Sequence, residues 1–278
     1  MASPIYKHFL VSTPSPFVVH VQINRPEKLN AWFEEMWLEF KVVIDTLSHS
    51  PDVRAIVLSG AGDRAFTAGL DVQIGSEVGI LKQVRGDTAR KAVGIKRHLD
   101  EFQHCISSVE KCEKPVICVL HGISFGLAID LSTCADIRVC TKDVKLAVKE
   151  VDIGLAADVG TLTRLPKVVG NFSWVKDVCL SARVFGAEEA YRVGLVSQVL
   201  ETKAEAVEVA LKMAELLATK SPVAVQGTKE LLNHARDNTV ADSLRYTGVW
   251  NSAAIQSIDV ERALLSGVKK TRPTFEKL

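Results

Sequence analysis

Sulfur ligation, phosphate-binding loops and membrane spans leave signatures that this chain lacks. Its six cysteines (105, 112, 118, 134, 140 and 179) form no CxxC pair and have no histidine-rich partner pattern. They sit in apolar runs such as Val116-Ile117-Cys118-Val119, so they read as small hydrophobic residues, and neither a disulfide framework nor a metal site is expected. Neither Gly-x-Gly-x-x-Gly nor Gly-x-x-x-x-Gly-Lys-Ser/Thr occurs, which removes two common cradles for a nucleotide phosphate. A serine hydrolase is not expected either. No sign of charge dominates: 34 Lys and Arg stand against 33 Asp and Glu, interspersed, so a polyanion-binding surface and a nucleic-acid partner are not expected. No apolar run approaches the roughly 18–20 residues that span a bilayer. Residues 1–16 read neither as a signal-peptide core nor as an Arg-rich transit helix.

What is present is a chain of ordinary globular composition, 47% hydrophobic and 24% charged over 278 residues, long enough to bury a substantial core. Val18–Ile23 alternates as a half-buried strand ended by Arg25-Pro26, and Phe33, Met36, Trp37, Phe40, Val43, Ile44 and Leu47 recur at helical spacing. Further strands are expected over 53–58, 115–120 and 136–140, and a short helix over 126–134. Residues 72–95 have no clean period and read as a flexible or partly helical loop, with helical spacing returning over about 97–109. After residue 200 the pattern is helical throughout, with Val207, Leu211, Ala214 and Leu217 on one face and Ser221-Pro222 starting the next helix. The division expected is an α/β core over 1–200 and a C-terminal helical region over 201–278.

Three acids stand out. Asp130 interrupts the apolar, small-residue run Ser124–Leu131, and Glu150 and Asp158 bracket a Gly/Ala-rich turn. Carboxyls in apolar surroundings have raised pKa values, which suits proton transfer near neutral pH. Taken singly, Asp130 could be satisfied by a neighbouring backbone or Arg, Glu150 could be a strand-end surface charge and Asp158 a helix N-cap. Two turns strengthen the group. Arg64–Asp71 and Leu120–Ala128 each follow an apolar strand, carry glycine, and expose backbone N–H groups of the kind that hold an oxyanion. Asp136, Arg138 and Arg164 read as structural.

Taken together, these motifs resemble the crotonase (enoyl-CoA hydratase/isomerase) superfamily over roughly residues 10–270. Asn24-Arg25-Pro26-Glu27-Lys28-Leu29-Asn30-Ala31 looks like its N-terminal signature, Ala65–Asp71 like its first oxyanion loop, and Lys114–Asp130 with Cys134–Arg138 like its second loop and the strand that follows. The resemblance implies a crotonase-like spiral of ββα units with a C-terminal helical trimerisation region, and a homo-oligomer, trimer or hexamer. It implies thioester contacts at Ala68, Leu70, Gly126 and Leu127, with the N–H groups of Leu70 and Leu127 as the oxyanion hole. The family usually has Gly-Gly-Gly where this chain has Gly126-Leu127-Ala128, and the bulkier residues are expected to narrow the site and restrict φ. Asp130 and Glu150 fall where hydratases carry paired glutamates. The acid at 158, within Lys149–Leu162, resembles the dienoyl-CoA isomerase branch, which implies catalytic roles for Asp130, Glu150 and Asp158 in moving the double bonds of a 3,5-dienoyl-CoA to the 2,4 positions during fatty-acid β-oxidation.

No cofactor is implied, since CoA arrives as part of the substrate. The rival readings are a 2-enoyl-CoA hydratase, a thioester hydrolase, and a non-catalytic CoA-thioester- or RNA-binding member of the same fold. The ending Glu276-Lys277-Leu278 shares two residues with the peroxisomal Ser-Lys-Leu tripeptide, so a peroxisomal protein is expected, with mitochondrial or cytoplasmic as alternatives.

Overall fold

The computed structural model describes residues 6–71, 73 and 84–278. Ten strands and ten α-helices are named among them. β1 (Phe9–Ser15) and β2 (Val18–Ile23) form a hairpin, and α1 (Glu34–His49) leads to β3 (Ala55–Gly60). β4 (Ala65–Thr67) and α2 (Thr88–Lys111) follow, then β5 (Val116–Leu120), β6 (Ile123–Phe125) and α3 (Leu127–Cys134). β7 (Ile137–Thr141) and β8 (Lys145–Ala147) precede a 3-10 turn (Glu150–Ile153), α4 (Thr161–Val168) and α5 (Phe172–Ser181).

Two sheets share these strands. One runs β1-β2-β3-β5-β7-β10, where β10 is Gln198–Leu200; the other runs β4-β6-β8-β9, where β9 is Phe185–Gly186. β3 hands on to β4, β5 to β6 and β7 to β8, so each pair starts in the large sheet and finishes in the small one. This is the expected α/β spiral of ββα units. β2, β3, β5, β7 and β10 pair in parallel. Parallel strands are covered on both faces, which is why Val116–Leu120 is an unbroken apolar run and fully buried. For the same reason Val18–Ile23, expected to be half-buried, is buried at five of its six positions.

The start of the helix expected over about 97–109 is the one to move. The flexible or partly helical loop expected over 72–95 lies outside the described residues at 72 and 74–83 and is helical in its later part, where α2 begins at Thr88, nine residues before the first clear apolar spacing, because Asp87 caps it by accepting from Arg90 N (2.9 Å). Of residues 1–16, the first five lie outside the described residues, and β1 occupies much of the rest.

After α6 (Ala187–Arg192), α7 (Lys203–Ala218) lies across the large sheet, but not on the face expected. Ala206, Ala210, Ala214 and Ala218 are the buried stripe, packed on Val18, Ala55, Val57, Ile117, Val119 and Val139; Val207, Leu211 and Leu217 flank it. Four alanines one turn apart let the helix backbone approach the sheet closely, so the smallest side chains, not the most hydrophobic, face inward. The last helices, α8 (Pro222–Asp237), α9 (Val240–Ala254) and α10 (Ile258–Lys269), leave many apolar side chains in solvent. Buried Lys229 roots α8 in the body through Asp136 (2.8 Å) and the Lys114 carbonyl (3.0 Å).

On the other face of the large sheet, Met36, Phe40, Val43 and Ile44 of α1 are fully buried, and Trp37 stacks on Phe102 of α2 with ring centroids 4.1 Å apart. That stack fixes the helix whose next turn faces the acids. No described helix is long and apolar enough to cross a membrane.

Candidate active site

The first loop is set by Asn30. It is wholly buried with φ +55, a conformation asparagine tolerates better than most residues. Its amide donates to the carbonyls of Ala61 (3.0 Å) and Ala65 (2.9 Å), and its Oδ1 accepts from Arg25 N (2.8 Å). The guanidinium of Arg25 then reaches the Asp71 carboxylate (2.7 Å) and the Ala31 carbonyl (2.9 Å). Asp71 therefore anchors this loop through one carboxylate oxygen, while the other accepts from Gln73 N (3.1 Å). Trp32 N donates to Gly69 O (2.9 Å) and Asp71 N to Trp32 O (2.8 Å), which leaves the Leu70 N–H between them without an acceptor among the described residues. Ala68 spends its own N–H on Leu29 O (2.9 Å), so it supplies wall and not a donor.

The second loop turns at Gly126. Its φ of +54 with ψ of −111 is a backbone state that only glycine enters without strain. Gly126 N donates to Ala147 O (2.9 Å), and α3 starts at Leu127 with its N–H unpaired among the described residues. The first N–H groups of a helix lack intrahelical acceptors and carry its positive dipole end. The two loops touch: a Cβ built on Gly69 would lie 3.8 Å from Leu127 N. The expected restriction of φ at Leu127 and Ala128 does not occur. Both lie inside α3 and neither has a positive φ; Leu127 lines the cavity and Ala128 is wholly buried. The turn needs glycine at 126 alone.

The fold brings all three acids to this place. Asp130 is 2% exposed and accepts from Thr161 N (2.6 Å) and Thr161 Oγ1 (2.8 Å). Burial, then the Glu150 carboxylate, pushes its pKa up from 3.8 to about 7, against the pull of the Thr161 bonds and Arg164. Glu150 begins the 3-10 turn; its Oε2 is buried with no partner among the described residues, and its Oε1 lies 3.2 Å from where a Gly126 Cβ would stand. Burial and the charge of Asp158 raise its pKa. Burial raises that of Asp158 as well. Asp158 does not cap α4: the N-cap is Gly160, and it is Asp130, from another helix, that takes the first N–H.

One cavity of about 130 Å³ is lined by the three acids together with Ala68, Gly69, Leu70, Gly126 and Leu127. Phe102, Ile153, Leu155 and Val159 complete its apolar wall. Two donors that face an apolar cleft hold a developing oxyanion, and protonated and ionised carboxyls beside it can give and take a proton.

A model of the family described as enoyl-CoA hydratase/isomerase matches residues 15–277. The chain belongs to that family. Among its curated relatives is the mouse protein named Delta(3,5)-Delta(2,4)-dienoyl-CoA isomerase, mitochondrial, 42% identical over 98% of this chain and 84% of its own length. The Arabidopsis thaliana protein of that name, peroxisomal, is 39% identical over 94% of this chain and 93% of its own. A putative enoyl-CoA hydratase from Streptomyces coelicolor superposes with a TM-score of 0.87 at 28% identity, covering 99% of this chain and 96% of that one. The crotonase fold expected from the motifs is therefore the fold of this family member.

Although no serine hydrolase is expected, Gly122-Ile123-Ser124-Phe125-Gly126 spells the Gly-x-Ser-x-Gly order of a hydrolase nucleophile elbow. Ser124 lies within β6, fully buried, with its hydroxyl on the His121 carbonyl (3.3 Å), so it cannot reach the cavity. Glu34, His98 and Glu101 bring ligand atoms within 4.8 Å of one another, but both glutamates are exposed and solvation accounts for them. Thr161, Phe102 and Gln103 are the residues of this site that sequence reasoning passed over. Thr161 had a signal, a hydroxyl three residues after Asp158; Phe102 and Gln103 had only helical spacing.

Proposed function

We propose that this chain isomerises 3,5-dienoyl-CoA to 2,4-dienoyl-CoA. The observation that carries the reading is the third acid: Asp158 lines the same cavity as Asp130 and Glu150, together with Leu70 and Leu127. The thioester carbonyl sits between Leu70 N–H and Leu127 N–H, which stabilise the dienolate formed when C2 loses a proton. Glu150 stands beside Gly126 and the Leu127 donor, hence nearest C2, and acts as base there. Asp158, farther along the cavity, returns a proton at C6. Asp130 is locked on Thr161 and tunes Glu150 by its charge. Mutual repulsion and burial hold one carboxyl protonated while the other is ionised. The chemistry asks for no metal or redox group, and CoA binds as part of the substrate.

The hydratase reading keeps support from Asp130 and Glu150 and from a 28% identical relative named crotonyl-CoA hydratase in Syntrophomonas wolfei. The Arabidopsis relative's name supports a peroxisomal location and the mouse relative's a mitochondrial one. We also propose a trimer or a hexamer: Leu232, Val240, Leu244, Val249, Leu264 and Val268 on α8–α10 are each at least 66% exposed, more apolar surface than a monomer ordinarily leaves uncovered. Ultraviolet absorbance of a 3,5-dienoyl-CoA with wild type and with Asp158→Asn tests the activity. Growth of 2,4-dienoyl absorbance with wild type, and its loss by 10²–10⁴-fold in the variant, is the expected result. No conversion by wild type, with hydration of a 2-enoyl-CoA instead, overturns it.

A further inference from the structure

Asp158 hangs on a weakly tethered segment. The stretch 154–160 is bounded by two glycines with positive φ, Gly154 (+74) and Gly160 (+155). Main-chain hydrogen bonds close each end: Gly154 N and Leu155 N donate to Val151 O (3.2 Å) and Glu150 O (3.0 Å), while Gly160 O accepts from Thr163 N (3.1 Å) and Arg164 N (2.9 Å). Between those ends, no main-chain group of residues 156–159 pairs with another main-chain group among the described residues. The bond that reaches this middle comes from α2, where Gln103 Nε2 donates to Asp158 O at 2.6 Å.

Gln103 does not act alone on its helix face. Ser107, four residues on, accepts from Arg164 Nη2 (2.8 Å), and Glu110, three further, pairs with the same guanidinium (2.8 Å). Positions 103, 107 and 110 share one side of a helix. That side therefore holds the acid-bearing segment at its middle and again just beyond its C-terminal glycine. The preceding residue, Phe102, is clamped by the stack on Trp37 and lines the cavity, so the donor projects from a rigid element. A carboxyl that must meet C6 of a bound substrate needs such a tether, since a misplacement of about 1 Å can cost 10²-fold in rate.

We propose that Gln103 is a positioning residue, which fixes the main chain at Asp158 so that its carboxyl points into the acid cavity. This rests on the isomerase reading of the site. Gln103 touches no reacting atom and acts through Asp158.

The test compares Gln103→Ala and Gln103→Glu with wild type, alone and combined with Asp158→Asn, using 3,5-dienoyl-CoA. Glutamate keeps the size and helical preference of glutamine but, ionised, has no donor for the carbonyl. Both single variants are expected to lose about 10- to 100-fold in kcat with KM within about twofold. They should keep the thermal midpoint of wild type, and neither should slow Asp158→Asn any further. Amide hydrogen exchange at Leu155 and Thr161, whose N–H groups close the two ends of the segment on Glu150 O and Asp130 Oδ1, should quicken in both. Unchanged kcat with unchanged exchange overturns the proposal, as does a full additional loss on the Asp158→Asn background. If wild type itself leaves 3,5-dienoyl-CoA untouched, the isomerase reading fails, and exchange at Leu155 and Thr161 still decides whether Gln103 holds the segment.

Discussion

Replacing Asp130 by asparagine should make the protein more stable relative to wild type as the pH rises. The buried carboxyl has its pKa lifted from 3.8 to about 7, by burial first and by Glu150 second. A folded-state pKa above the unfolded one means that the native state binds the proton more tightly. Its contribution is fully present below pH 3.8 and is lost as the pH rises through 7. A shift of about three units corresponds to roughly 4 kcal/mol at pH 8.5, an upper bound for a group coupled to a neighbouring acid. Asparagine does not titrate, and its carbonyl oxygen can still accept from Thr161 N and Oγ1. Its amide brings a second buried donor, whose lack of a partner costs about 1–2 kcal/mol at every pH. The stability difference, variant minus wild type, should therefore climb by about 2–4 kcal/mol between pH 4.5 and 8.5, or at least ~4 °C in thermal midpoint. Thermal unfolding of both proteins across that range, at equal protein concentration, measures it. A difference that is flat or falls with pH would mean that Asp130 is ionised and held by Thr161, and the reasoning fails.

Gly126→Ala should cost activity out of proportion to stability: alanine must hold a glycine-only backbone state 3.2 Å from Glu150 Oε1, so the Leu127 donor shifts and kcat falls roughly 10²–10³-fold, as steady-state kinetics would record. Ala210→Leu should lower the unfolding free energy by about 1–3 kcal/mol without touching the cavity, because Ala210 is wholly buried between α7 and the sheet; denaturant titration checks this. The profile of kcat/KM against pH should be bell-shaped with its ascending limb above the ordinary carboxylate range, since burial raises both Glu150 and Asp158. An ascending limb near pH 4 would show that neither acid is desolvated in the free enzyme.

Much of this site was readable in one dimension because its parts are local. Gly126 with the N–H that follows it, and Glu150 with the turn it opens, are contiguous motifs, and an acid in an apolar run is conspicuous by itself. Asn30 was quoted as part of a signature, but its work, bridging two carbonyls across the β3–β4 turn at a positive φ, depends on residues more than thirty positions away. The stripe on α7 was misread because hydrophobicity was taken to mark the inward face, whereas close approach to a flat sheet selects alanine. Ser124 shows the opposite failure: its motif is present, and only burial removes its chemistry.

The sequence by itself determined four strands of the large sheet (β2, β3, β5 and β7), the two glycine turns and the presence of three acids, since each follows from side-chain periodicity, from φ restrictions or from composition within a few residues. Tertiary structure alone decided that Asp130 meets Thr161, that Glu150 lies beside Gly126, and that Gln103 reaches Asp158 across 55 positions. Those contacts join elements that are distant in the chain, and their energies exist only once packing has removed water from between them. The same removal of water turns three ordinary carboxyls into groups with raised pKa values.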